Sequence, residues 1–75
     1  MTSTLGARLK TARKQAQLSQ IEAAKLMNVS RQSFSKWEND YNYPDLDNLV
    51  NLSELYQVSL DDLLKGGADG SESIS

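Results

Sequence analysis

Apolar residues recur along this chain at the three- and four-residue spacing that gives a helix one buried face. Leu5, Leu9, Ala12 and Ala16 fall at i, i+4, i+7 and i+11, the repeat of a first helix, with Thr4 placed to cap it. Arg8, Lys10, Arg13 and Lys14 occupy its other faces. Gln17-Leu18 is a short connection, with Leu18 a core candidate. Ser19-Gln20-Ile21-Glu22 then reads as a capping box, in which Ser19 caps the N–H of Glu22 while the Glu22 carboxylate reaches back. It opens a second helix to about Met27, with Ala23, Ala24 and Met27 inward and Ile21 at the boundary.

Asn28-Val29-Ser30 turns the chain sharply, and asparagine tolerates the left-handed backbone that a tight turn needs. Ser30 is a good cap for a third helix beginning at Arg31. There Phe34 and Trp37 stand one turn apart and share a face. At about 100° per residue, Gln32, Ser35, Lys36 and Asn39 point the opposite way, with Arg31, Ser33 and Glu38 on the flanks. The outward face therefore carries amide, hydroxyl and ammonium groups and no acid. Asp40 to Tyr43 form a polar loop bearing two tyrosines, and Pro44-Asp45 ends it and starts a fourth helix with Asp45 as cap. Leu46, Leu49, Val50, Leu52, Leu55 and Tyr56 cover more than one face of that helix. The surplus suits either a core or an interface, and the pattern leaves both open. Ser59-Leu60-Asp61-Asp62 is another capping signature, opening a short fifth helix that ends at Gly66-Gly67.

Composition narrows the function classes. The 75 residues hold one small domain, and a single core of this size rarely supplies more than about 3–5 kcal/mol, so self-association would help. With no cysteine and no histidine there is no disulfide, no thiolate metal site and no common general base. Asp61-Asp62 and Asp45/Asp47 look like capping and solvated positions, so an enzyme is not expected, nor a cofactor or a metal. No apolar run approaches the roughly 18 residues that span a membrane, and no signal peptide is visible, so a soluble, cytoplasmic protein is expected. The net charge of −2 hides a strong polarity. Residues 1–36 carry seven basic side chains against Glu22 alone, a balance of +6, whereas residues 37–75 set Lys65 against nine acids, a balance of −8. Salt screens charge over about 8–10 Å, so a basic half can meet DNA while an acidic half lies away from it. The domain is expected over residues 1–65. Residues 66–75, small, polar and acidic, are expected to form a flexible tail.

Two short helices joined by a tight turn, the second with an outward polar face, make a helix-turn-helix pattern. Leu18-Ser19-Gln20, Ala24, Val29-Ser30-Arg31-Gln32 and Ser35-Lys36-Trp37-Glu38-Asn39 resemble the XRE, or lambda-repressor-like (Cro/C1-type), family of bacterial and phage regulators. The resemblance continues through Tyr43-Pro44-Asp45-Leu46-Asp47-Asn48-Leu49 and Tyr56-Gln57-Val58-Ser59-Leu60-Asp61-Asp62-Leu63-Leu64, in register over roughly residues 5–65. It implies an all-α, compact five-helix domain in which helices 2 and 3 form the helix-turn-helix.

The same resemblance implies that the third helix enters the major groove of double-stranded DNA and that its first residues read base edges. Carried over by position, Arg31, Gln32, Ser33 and Lys36 are the base-contact candidates. A carboxamide such as Gln32 pairs bidentately with adenine N6 and N7. Lys36 suits guanine or a phosphate, and Arg31 suits either. Gln20, at the start of helix 2, matches a family glutamine that touches a DNA phosphate and buttresses the reading helix. Ser35, Asn39, Tyr41, Asn42 and Tyr43 are further backbone-contact candidates, although Tyr41 or Tyr43 could equally close the core. Arg13 and Glu38 match a family ion pair tying helix 1 to the end of helix 3.

Departures from the family pattern are specific. Gln17, Asn28 and Asp40 stand where the family often has glycine, and Gln17 should cost about 1 kcal/mol there. Ala23 stands where leucine is common, so Met27 or Ile21 is expected to fill the space. The family and the small core together imply a homodimer through helices 4 and 5, and the function implied is a transcriptional regulator, most simply a repressor on a palindromic operator. The rival is a module of the same fold that works through a protein partner, such as an antitoxin with its toxin or a repressor with an anti-repressor.

Overall fold

The computed structural model describes residues 4–65 of the chain. The Gly66-Gly67 stop and the expected tail lie outside the described residues. The order is α1 (Leu5–Gln15), α2 (Gln20–Met27), α3 (Arg31–Glu38), α4 (Leu46–Tyr56) and α5 (Leu60–Lys65). The starts follow the capping residues. Thr4, Ser19, Ser30 and Asp45 each present extended backbone and a side-chain oxygen that accepts the N–H three residues on, so each satisfies an otherwise orphaned donor. At Ser19 both arms of the capping box close. The Ser59 hydroxyl likewise accepts the Asp62 N–H at 3.0 Å.

The first four helices end by a common device. Gln17, Asn28, Asp40 and Gln57 all have positive φ, between 58° and 63°. The N–H that follows each one returns to a carbonyl five residues back: Leu18 to Arg13, Val29 to Ala24, Tyr41 to Lys36 and Val58 to Ser53. This is the Schellman stop, and it is made here wholly without glycine. Asparagine and aspartate enter that conformation cheaply and glutamine does not, so Gln17 and Gln57 carry strain. Sequence reasoning flagged the first three positions and missed Gln57.

The core joins Leu9 and Ala12 of α1, Ala23 and Ala24 of α2, Phe34 and Trp37 of α3, Leu52 and Tyr56 of α4, and Leu63 of α5. Phe34 and Trp37 meet in a tilted pair with centroids 5.6 Å apart, so the aromatic stripe of α3 is its anchor. Leu18 and Met27 pack against this core. Of the two residues expected to make up for the small Ala23, Met27 packs against the core and Ile21, 53% exposed, faces outward. Neither loop tyrosine closes the core: Tyr41 and Tyr43 are exposed, and Pro44 takes the buried place in that loop. On α4 the broad apolar pattern divides. Leu49, Leu52 and Tyr56 are buried while Leu46 and Val50 face outward.

Candidate nucleic-acid interface

Helix α3 is fixed from behind by one buried ion pair. Arg13 Nε lies 2.7 Å from Glu38 Oε2 and Arg13 Nη2 lies 3.1 Å from Oε1, a bidentate fork between α1 and the last residue of α3. The remaining guanidinium nitrogen, Nη1, donates to the Leu18 carbonyl at 2.9 Å, so the α1–α2 turn joins the same knot. Hydrogen bonding to Glu38 holds the Arg13 pKa above its ordinary value against the opposing effect of burial. Gln20 completes the arrangement, its Nε2 donating to Glu38 Oε1 at 3.1 Å. The first residue of α2 and the last of α3 are thereby locked together. The acid nearest the outward face is turned inward and neutralised.

With α3 anchored by Phe34, Trp37 and Glu38, its opposite side is open. Arg31, Gln32, Ser35, Lys36 and Asn39 line one shallow groove there, with Tyr41 as its edge. Six of the ten residues singled out from sequence are thus brought together. Ser33 is exposed but turned to its own cap, where its N–H and hydroxyl both pair with Ser30 Oγ. Asn39 Nδ2 donates to the carbonyl and hydroxyl of Ser35, holding the last turn of α3 closed. Asn42 and Tyr43 are exposed in the following loop, outside the groove. Gln20 stands apart from it, on the Glu38 side.

The loop itself is organised by a residue that sequence reasoning treated only as a glycine substitute. Asp40 Oδ2 accepts the Thr4 hydroxyl at 2.6 Å, and Oδ1 accepts the Gly6 N–H at 2.9 Å. Those two bonds, the Thr4 hydroxyl first, hold the Asp40 carboxyl below its ordinary pKa. Gly6 makes the approach possible, since a Cβ there would lie 2.6 Å from the Glu38 carbonyl oxygen. A second missed role belongs to Arg8, which donates through Nε to the Leu63 carbonyl at 2.5 Å and through Nη2 to the Leu64 carbonyl at 2.8 Å. Part of the positive charge of the N-terminal half is therefore spent on internal contacts, leaving Arg31 and Lys36 as the cations of the groove itself. No helix among the described residues is long and apolar enough to cross a membrane.

Comparison with known proteins agrees with this geometry. The helix-turn-helix family model matches residues 9–63. The HTH-type transcriptional regulator ImmR of Bacillus subtilis is 49% identical over 61 residues, which is 81% of this chain and 48% of that protein. Repressor protein C2 of Salmonella phage P22 is 37% identical over 65 residues, 87% of this chain and 30% of that one. The chain thus spans about half the length of these relatives, or less. The crystal structure of the P22 c2 repressor in complex with synthetic operator 9T superimposes with a TM-score of 0.80 at 37% identity, covering 87% of this chain and 98% of that one. By the extent of the family match and the likeness of its five helices to that repressor, the chain belongs to the helix-turn-helix family of XRE, or Cro/C1, type.

Proposed function

We propose that this chain is a sequence-specific DNA-binding transcriptional regulator, acting as a repressor in the cytoplasm and docking α3 in the major groove of an operator. The observation that carries the reading is the outward groove of α3, where Arg31, Gln32 and Lys36 converge while the one acid of that helix is buried in an ion pair. The relatives are named as transcriptional regulators or repressors, and the P22 repressor of like fold is bound to operator DNA. A major groove admits one helix, and the groups on this face match its donors and acceptors. Gln32 reads adenine. Arg31, Ser33 and Lys36 contact base edges beside it. Gln20, Ser35, Asn39, Tyr41, Asn42 and Tyr43 hold the phosphate backbone and set the register.

A homodimer through α4 and α5 places two reading helices on half-sites about one helical turn, roughly 34 Å, apart. Outward Leu46 and Val50 on α4 and Leu64 on α5 support such an interface, being aliphatic side chains that the monomer leaves exposed. The test is titration of a mixed-sequence duplex at several salt concentrations. Lys36→Ala is expected to weaken binding, with the preferred base relaxed if its ammonium meets a base edge and the slope of log K against log salt reduced by about one if it meets a phosphate. A folded Arg31→Ala, Gln32→Ala, Lys36→Ala protein with unchanged affinity and slope would remove α3 from the interface.

A further inference from the structure

The loop after α3 carries Tyr41, which lines the groove beside Lys36 and Asn39. Tyr41 is 77% exposed, so no side-chain burial holds it in place. Its position is set by backbone instead. The Tyr41 and Asn42 N–H groups both return to the Lys36 carbonyl, at 3.0 and 3.4 Å, and this return requires the left-handed turn at Asp40. Here Asp40 is tied across 34 and 36 residues of sequence to the first turn of α1, through Gly6 N–H and the Thr4 hydroxyl. Thr4 is itself fixed as the cap of α1, accepting the Ala7 N–H at 3.1 Å. The carboxylate thus lies at the positive end of α1, against two donors of a well-anchored helix.

We infer that Asp40 is a positioning residue for DNA binding: its latch to Thr4 and Gly6 fixes the loop that holds Tyr41 at the edge of the α3 groove. The latch also turns the carboxylate toward α1. This inference rests on the DNA-binding reading above. It separates from a simple charge effect by sign. An acid that merely stood near phosphates would weaken binding, and its removal would tighten it. A latch does the opposite.

The experiment uses the full chain and a duplex enriched by the unaltered protein from a random DNA pool. Binding by the unaltered protein is measured first, and a folded protein that binds no duplex overturns the DNA-binding reading itself. Asp40→Gly keeps the left-handed backbone without strain and deletes the latch. It is expected to lose about three- to tenfold in affinity, the scale of one net hydrogen bond, with the preferred sequence unchanged. Asp40→Asn keeps a carboxamide oxygen for the Gly6 N–H and is expected to bind as tightly as the unaltered protein or tighter. Tyr41→Ala alone should lose a similar factor, and adding it to Asp40→Gly should cost little more, because both act on one contact. Thr4→Val leaves residue 40 in place and deletes the hydroxyl donor together with the α1 cap; measured at a temperature where it is folded, it should weaken binding in the same direction. Unchanged or tighter binding by both folded latch variants, Asp40→Gly and Thr4→Val, would overturn the inference, as would full additivity with Tyr41→Ala.

Discussion

Replacing Arg13 by methionine tests how α3 is held. The Glu38 side chain is only 2% exposed and that of Arg13 9%, so Arg13→Met leaves a carboxylate in the interior with Gln20 as its remaining side-chain donor. Removing one partner of a buried pair costs about 3–5 kcal/mol, because the charge left behind has lost its solvent and its counterion. A core of this size supplies roughly that much in total, so the single variant should be largely unfolded at 25 °C. The double variant Arg13→Met, Glu38→Leu removes both charges and fills the space with apolar atoms. It leaves the Leu18 carbonyl and the Gln20 amide to find other partners, and should recover to within about 2 kcal/mol of the unaltered protein. Urea unfolding followed by the fluorescence of buried Trp37 reads both numbers. A single variant that costs less than about 1 kcal/mol would mean that the pair behaves as a solvated surface bridge, and the account of how α3 is anchored would be wrong.

Other outcomes follow from the same geometry. Gln17→Gly and Gln57→Gly relieve left-handed strain at φ 63° and 58°, and each should raise stability by about 0.5–1 kcal/mol in the same urea assay; a loss would refute the strain. Gly6→Ala drives a methyl against the Glu38 carbonyl and should destabilise by about 1–3 kcal/mol, whereas a neutral result would show that α1 can back away at no cost. Gln32→Ala should relax preference at one base pair by about 1–3 kcal/mol, read by competition between operator variants, and an unchanged preference would mean a different docking register. Stability should hold between about pH 5 and 9 and decline on either side. Asp40, held by Thr4 and Gly6, and Glu22, held by the Ser19 backbone and hydroxyl, both have lowered pKa values, so their contribution is present above the ordinary carboxylate range and is lost as pH falls through the folded values. Burial raises the Tyr56 pKa, so the folded state resists ionisation and loses ground to the unfolded chain above about pH 10. A urea midpoint that stays flat from pH 5 to 3 would contradict the acid arm.

What was legible in the sequence was what is local or periodic. Thr4, Ser19, Ser30, Asp45 and Ser59 announce helix starts because each cap acts three residues away. Phe34 and Trp37 announce a buried face because their spacing is one helical turn. The Arg13–Glu38 pair was reachable only through the family resemblance, since its 25-residue separation has no local signature. The Asp40 latch and the Arg8 contacts to the end of α5 had no such aid. They bridge 34 to 56 residues, and all but the Thr4 hydroxyl among their partners are backbone groups, which carry no side-chain identity to read. Gln57 escaped notice because glutamine is a poor advertisement for a left-handed residue, although the apolar Val58 just beyond it was the usable clue. The candidate site fared similarly. The face of α3 followed from periodicity, while the place of Tyr41 beside it depended on the Asp40 turn.

Selection of bound sequences from a random duplex DNA pool at near-physiological salt tests the central claim most directly. The account expects a two-fold palindrome with half-sites about one helical turn apart, with preference relaxed at one base pair of each half-site when Gln32 is replaced. A single unrepeated half-site would contradict the symmetric dimer, and no enrichment by a folded protein would contradict DNA recognition by α3 altogether.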